Sequence, residues 1–590
     1  MDGFLLDARF GFLGARPADD DLSLEVQGWR QARSAGTTTL WIRGDLQVRD
    51  LAGGWVVGEL FERGTGRPAA IAPDALQSPD LGIQGQCERL ARGFWGRYVA
   101  VFPADRAVFR DPSGHLDALV WHSPTAWIVG SDLPDDLPAS ALPRTLEIDW
   151  ATIADMLGDE NAMGGRLALR GLEALRPGAL RTFTNTPIDR VVWDPSAFAV
   201  DPHPSYEASR RAVLAAVDES LMAESASGEV LLAEISGGLD SAIVASTLVK
   251  LGAGERTRFV HYHIDDPGGD ERRFAHAVAE RIGVPLMKIV KPELRIDEAA
   301  LRDMPVGARA SNNALDRHYD QSQVDLVRAL GARRILTGQG GDMVFYESPS
   351  EKIGTEVWGR WARRPGADPA WRQMEDAARW NRGSTWSLIG EAVRETFRRP
   401  RRDLGQHPWL DRPVAPAKRR QISNLIHLQP LFNGASRRGR EAQLVHPLLN
   451  QPVLEATLAA PVIDLARGGR GRSLARDAFE DRIPELVRAR RSKGDLTAYY
   501  GRMVLRSLPT LRPFLLEGRL AAQGVLDVKG LEEGLDPDRM IHAGNYPRLY
   551  EIIAIEAFVR YWEGRAASAL ASGARGGEPR RSASQGKTSP

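Results

Sequence analysis

One stretch of this chain sets glycines, hydroxyls and a carboxylate where polyphosphate chemistry needs them: Ile235-Ser236-Gly237-Gly238-Leu239-Asp240-Ser241. Residues 230–235 before it are apolar except for Glu234, and residues 242–249 after it carry a helical pattern. The stretch therefore reads as strand, tight glycine turn and helix start. That geometry aims backbone N–H groups and a positive helix end at one point, a ready phosphate site. Gly237 and Gly238 let the backbone approach a pyrophosphate closely. Ser236 and Ser241 add hydroxyl donors. Asp240 is repelled by phosphate, so its natural partner is a divalent cation that bridges it to phosphate oxygens. The Gly-x4-Gly-Lys-Ser/Thr loop carries a lysine where this turn carries an aspartate. The plain alternative is an ordinary strand–helix turn with two glycines.

Other elements must hold that turn. Residues 205–222 read as a helix with Val213, Leu214, Val217 and Leu221 on one face. A strand at 258–264, a turn at 265–270 and a helix at 271–282 follow, the last with Phe274, Val278 and Ile282 in phase. Then come a strand at 285–290, a helix at 321–330 and a strand at 334–337. Such alternation predicts a parallel sheet with helices on both faces, and ligands in such sheets sit beyond the carboxyl ends of strands. Residues after Ile235, Ile264 and Thr337 are expected to converge there. Residues 1–198 differ: short strands at 38–42, 55–60, 97–102, 107–110 and 126–131 are separated by turns, which predicts an antiparallel sheet domain.

Ser-Gly-Gly-Leu-Asp-Ser resembles the pyrophosphate loop of enzymes that split ATP into AMP and pyrophosphate, asparagine synthetases and β-lactam synthetases among them. Thr337-Gly338-Gln339-Gly340-Gly341-Asp342 resembles their second signature. The resemblance implies ATP held at Leu232, Ser236, Gly237, Gly238, Ser241 and Gly338, and Mg²⁺ shared by Asp240 and Asp342. Arg490-Arg491-Ser492-Lys493-Gly494 resembles the family's "R-x-x-K-g" loop and assigns Lys493 to oxyanion stabilisation. Residues 445–453 are similar to its "P-f/l-l-d" segment. Two departures stand out. Met343 replaces a glutamate, and Gln339 stands where asparagine synthetases have a glutamate; an amide cannot be a general base. Glu271 has two readings, a metal- or phosphate-side group and a solvated helix start.

Gly96 to Val101, Arg110 to Gly114 and Leu175-Arg176-Pro177-Gly178 resemble the glutaminase half of asparagine synthetases. This implies an Ntn-hydrolase-like α+β domain over 1–198 and an ATP pyrophosphatase α/β domain over 203–564. The family's nucleophile is an N-terminal cysteine; position 2 here is Asp2, and the one cysteine, Cys87, lies mid-chain. The expectation is a scaffold domain without glutaminase activity, with Cys87 a small buried hydrophobe. Residues 345–443 form an insertion with Trp358, Trp361, Trp371, Trp380, Trp386 and Trp409, the run 398–402 rich in Arg, and the basic Lys418-Arg419-Arg420. Aromatics at helical spacing are more often core than contacts, and basic runs are more often solvated faces. Here the chain is most similar to lasso peptide macrolactam synthetases. Residues 566–590, rich in Ser, Gly, Ala and Arg, read as disordered.

At 590 residues, two to four domains are expected. A formal net charge of zero gives no global attraction to nucleic acid or anionic membrane. One cysteine excludes a disulfide framework. No secretory signal or span of about 20 apolar residues is visible, so the cytoplasm is the expected location. The resemblance implies adenylation of an Asp or Glu side chain of a precursor peptide and ring closure by that peptide's N-terminal amine. It also implies a leader peptidase and a leader-peptide-binding protein as partners. The alternatives are an asparagine- or β-lactam-type synthetase, an RNA-modifying pyrophosphatase, and a non-enzymatic scaffold.

Overall fold

The computed structural model describes residues 3–8, 28–69, 82–124, 126–137, 141–158, 167–184, 186–199, 204–266, 268–292, 295–363, 370–397, 407–428, 434–491, 494, 497–543 and 546–575. Among them, two antiparallel sheets of six strands come from the first 191 residues. One runs in the order Leu172–Ala174, Leu119–His122, Trp127–Gly130, Gly3–Ala8, Thr38–Arg43, Arg30–Ala35. The other runs Ile188–Val191, Ala179–Thr182, Ala107–Arg110, Phe94–Phe102, Gly54–Glu62, Val48–Leu51. The hairpin expected at residues 103–106 is present, with Phe102 opposite Ala107 and Val101 opposite Val108.

The sheets stack because their alternating apolar residues meet. Leu40, Ile42, Val120 and Val129 of one pack with Val57, Val99, Val101 and Val108 of the other. The helix Ile83–Gly93 covers the outer face of the second sheet, and there Cys87 is fully buried beside Leu90. The outer face of the first sheet is covered from the other end of the chain. Trp41, Trp121 and Leu172 share a core with Leu511, Ile553, Phe558 and Trp562.

The predicted parallel sheet is present, in the order Leu286–Val290, Thr257–His263, Leu231–Glu234, Arg334–Leu336, Gln443–Val445. Its fifth strand was not expected: three residues are too short to show a period. The central strand feeds the helix Leu239–Lys250, whose first ten residues are all buried. In the insertion, Trp380 is half-buried against the main core and Trp409 is buried edge-on to Trp193. Trp371 and Trp386 are exposed and lie edge to face. The arginine-rich run lies outside the described residues. Lys418 corrects the expectation of a solvated basic face. It is 1% exposed and donates to Gln421 Oε1 at 2.9 Å and to the Ala460 carbonyl, and burial pushes its ammonium down to about 8. The tail also needs correction: the helix Tyr546–Arg575 continues through the start of the segment expected to be disordered.

A buried ionic network joins the two sheet systems. Glu224, fully buried, accepts from Arg97 at 2.7 and 2.9 Å, from Arg334 at 2.8 Å and from Asn450 at 2.9 Å. Glu59 also pairs with Arg97 and Arg334. Burial works to raise the Glu224 carboxyl, but Arg97 and Arg334 overcome it and hold the group below the usual carboxylate range. Its stabilisation is therefore complete above about pH 4.3 and is lost as pH falls through the lower folded value. Glu224→Ala is expected to cost about 3–5 kcal/mol, because the buried guanidiniums of Arg97 and Arg334 must then share Glu59, with Glu229 3.9 Å from Arg334 as the other carboxylate. Thermal unfolding of the variant at neutral pH checks this.

Candidate active site

The glycine turn organises itself. The Ser236 N–H donates to Ser241 Oγ at 3.0 Å, the two hydroxyl oxygens are 3.0 Å apart, and Ser241 Oγ donates to the Gly238 carbonyl at 3.2 Å. Gly237 has φ +86°, which explains the glycine there. Gly238 caps the helix with no side-chain bond, so the positive helix end stays open to a ligand. The Leu232 side chain is fully buried in the core of the central strand.

The second glycine turn lies against the first. A Cβ on Gly338 would strike the Ser241 nitrogen and lie 2.7 Å from the Asp240 carbonyl carbon. A Cβ on Gly341 would lie 2.6 Å from Asp240 Cγ. The turn carrying Asp342 is thus packed on the Asp240 carboxyl, as adjacent parallel strands require. Two carboxylates from neighbouring strand ends suit Mg²⁺, which takes few protein oxygens and completes its shell with phosphate and water. Among the described residues, no group of three or more His, Cys, Asp or Glu forms a metal cage. Asp240 and Asp342 are the residues that would hold the cation. Met343 packs against the main core, so its apolar side chain is at home there.

Sequence reasoning missed the cationic wall. A cleft beside the helix start is lined by Gly237, Gly238, Leu239, Glu347, Arg472, Arg476, Val487, Arg490 and Arg491. Arg472 Nη1 lies 2.7 Å from Asp240 Oδ2, and Arg472 also pairs with Glu347. Arg476 donates to the Val487 carbonyl at 3.4 Å, and Arg470 to the Arg490 carbonyl at 3.3 Å. Burial, and then the neighbouring Arg470 and Arg472, push the Arg476 guanidinium down to about 10. Clustered, partly buried cations facing a helix N-terminus form an anion site. The signal in the sequence was the density of arginine from 467 to 491, which carries no information about direction.

Glu271 is not a solvated helix start. It pairs with Arg490, one bond being 2.5 Å, and Arg490 lies 3.7 Å above the Phe274 ring. Its carboxylate packs on both Gly237 and Gly494. Lys493 lies outside the described residues; Arg490 and Gly494 on either side of it both contact Glu271. Gln339 donates its N–H to Thr337 Oγ1 at 3.2 Å.

The parallel sheet flanked by helices, with a glycine-rich helix start beyond its central strand and a cationic cleft beside it, defines an α/β domain. The asparagine synthase family model matches residues 209–560, more than half of the chain, and the chain belongs to that family, whose members form C–N bonds using ATP. No curated protein sequence matches it. Among solved structures it is similar to the "allosteric regulatory enzyme of purine biosynthesis". That likeness has 12% identity and a TM-score of 0.19, and covers 50% of this chain and 76% of that one, too low to carry an argument.

Gly338→Ala is expected to leave the protein folded but to weaken binding of an ATP analogue about tenfold or more, since the backbone it would strike is the open helix start at Asp240 and Ser241. Calorimetric titration with a circular dichroism control checks this. Unchanged affinity would make the contact purely structural.

Proposed function

We propose that the chain closes a macrolactam ring in a ribosomal lasso peptide precursor, using ATP and releasing AMP and pyrophosphate. The observation that carries the adenylation reading is the cleft in which the uncapped helix start of Leu239–Lys250 faces Arg472, Arg476 and Arg490. In this reading the triphosphate lies against the Ser236 to Ser241 turn. An Asp or Glu side chain of the peptide attacks the α-phosphorus, and pyrophosphate departs along the arginine wall. The peptide's N-terminal amine then attacks the acyl-adenylate, and AMP leaves. Mg²⁺, held by Asp240 and Asp342, would neutralise the phosphates. Lys493 would face the developing oxyanion. An α-amine with a pKa near about 8 is partly neutral at pH 7, so the demand on a base is modest and Gln339 suffices as a positioning group. Both reacting groups lie on one peptide, so the enzyme's main task is to hold the peptide pre-folded.

Two observations favour a peptide over a small acid amidated with ammonia released from glutamine. Cys87 is buried and burial pushes its thiol up, so it supplies no nucleophile for releasing ammonia from glutamine. The lid presents Trp371 and Trp386 to solvent, the kind of aromatic pair that anchors peptide chains. The antiparallel sandwich then serves as a glutaminase-like scaffold. A leader peptidase and a leader-binding protein would deliver the peptide.

Mass spectrometry of the enzyme with ATP, Mg²⁺ and the leader-free peptide encoded beside its gene tests the reading. Loss of one water from the peptide, with AMP formed, is the expected result. AMP formed only with a free amino acid and ammonia would favour an asparagine- or β-lactam-type synthetase. Asp342→Ala is expected to abolish pyrophosphate release without unfolding the protein. Lys493→Ala is expected to slow turnover by about 100-fold or more, as loss of an oxyanion-stabilising charge does; unchanged turnover would remove it from the site.

A further inference from the structure

Two backbone positions, one on the cleft wall and one in the core behind it, are in an uncommon conformation and touch each other. Among the described residues, positive φ outside glycine occurs at Arg106, Tyr346, Arg382 and Arg472. Tyr346 has φ +64° and Arg472 has φ +60°, and the Arg472 N–H donates to the Tyr346 carbonyl at 3.3 Å. Such residues persist only where their surroundings over-determine them, and they gather at functional sites. Gly471 makes the approach feasible, since a Cβ there would lie 2.5 Å from the Glu347 carbonyl oxygen. The Glu347 N–H donates to the Asp342 carbonyl at 2.7 Å, which ties this knot to the metal-binding turn.

The effect of the two turns is to point Glu347 and Arg472 at one another. Arg472 is 5% exposed and bridges Asp240 and Glu347. One of its two carboxylate partners, Asp240, is the group a divalent cation needs. A guanidinium and a cation cannot both hold that carboxylate at close range without repulsion. Glu347 supplies the way out, because Arg472 keeps a partner when Asp240 turns to the cation.

We propose that Glu347 is a positioning residue for Arg472. It retains the guanidinium at the cleft wall when the metal–nucleotide complex takes Asp240, so that Arg472 meets phosphate instead of competing for the metal's ligand. The proposal rests on the ATP reading above for its ligand and extends it to a residue outside both glycine signatures. With Glu347 neutral, the carboxylates left facing Arg472 are Asp240 and Asp342, both on the cation's side, and the guanidinium opposes the cation. Metal-bound nucleotide then binds less well. Metal-free nucleotide does not, since the cleft has become more positive.

The test is calorimetric titration of a non-hydrolysable ATP analogue into the full chain, with Mg²⁺ and separately with EDTA. For Glu347→Gln the expected result is about tenfold weaker binding with Mg²⁺, the size of one charge-assisted contact, and unchanged or tighter binding in EDTA. Equal affinity with Mg²⁺, or an equal loss in both conditions, would overturn the proposal; the second result is what a merely structural role produces. Arg472→Lys, which keeps the charge but not the two-carboxylate fork, gives a second route. Alone it is expected to weaken Mg²⁺-analogue binding to a similar extent. In its background Glu347→Gln is expected to change affinity less than about twofold, because residues that act through one another are not additive. A full tenfold loss in that background would show Glu347 acting on its own and sink the idea. Absence of any nucleotide binding by the unmodified protein would instead overturn the ATP reading, and this proposal with it.

Discussion

Repulsion among cations is the constraint around which the site is built. Arg470, Arg472, Arg476 and Arg490 crowd beside a helix N-terminus that is itself positive. Left alone, such a cluster would push the surrounding segments apart. The structure answers with a partner for each: Asp240 and Glu347 for Arg472, Glu271 for Arg490, and backbone carbonyls from 487–490 for Arg470 and Arg476. The same pairs fix the site's geometry. Glu271 holds Arg490 and Gly494 against Gly237, and Arg472 holds the 471–472 segment against Asp240. A polyphosphate entering this cleft exchanges one set of negative partners for another.

The antiparallel half is bound into the same object. Its second sheet docks on the nucleotide half through Glu59, Arg97, Glu224 and Arg334, and its first sheet is covered by helices from the end of the chain. The strand Arg334–Leu336 therefore carries a charge at the interface on its first residue and leads into the glycine turn that bears Asp342 after its last.

Both glycine turns were legible because their chemistry is local. A run of seven residues contains its own hydrogen bonds, as Ser236 and Ser241 show, and strand–turn–helix order follows from periodicity. The parallel order of four strands, the hairpin at 103–106 and the burial of Cys87 were equally readable. The three-residue strand Gln443–Val445 was not, since its place depends on hydrogen bonds to Arg334–Leu336 and not on its own pattern.

The sequence by itself determined the class of chemistry. It placed a glycine-rich turn at a helix start, two carboxylates at strand ends and a chain period that brings those ends together. Tertiary structure decided which cations face that turn and which acids restrain them. Arg472 meets Asp240 across 232 positions of sequence, and it does so from a left-handed turn whose partner, Tyr346, lies elsewhere in the chain. No local pattern encodes such a pairing, because its energy exists only after both segments have folded against the sheet. The same reason separates Lys418, which the sequence groups with the partly exposed Arg419 and Arg420, from its neighbours: burial is a property of the packed helix, not of the residue.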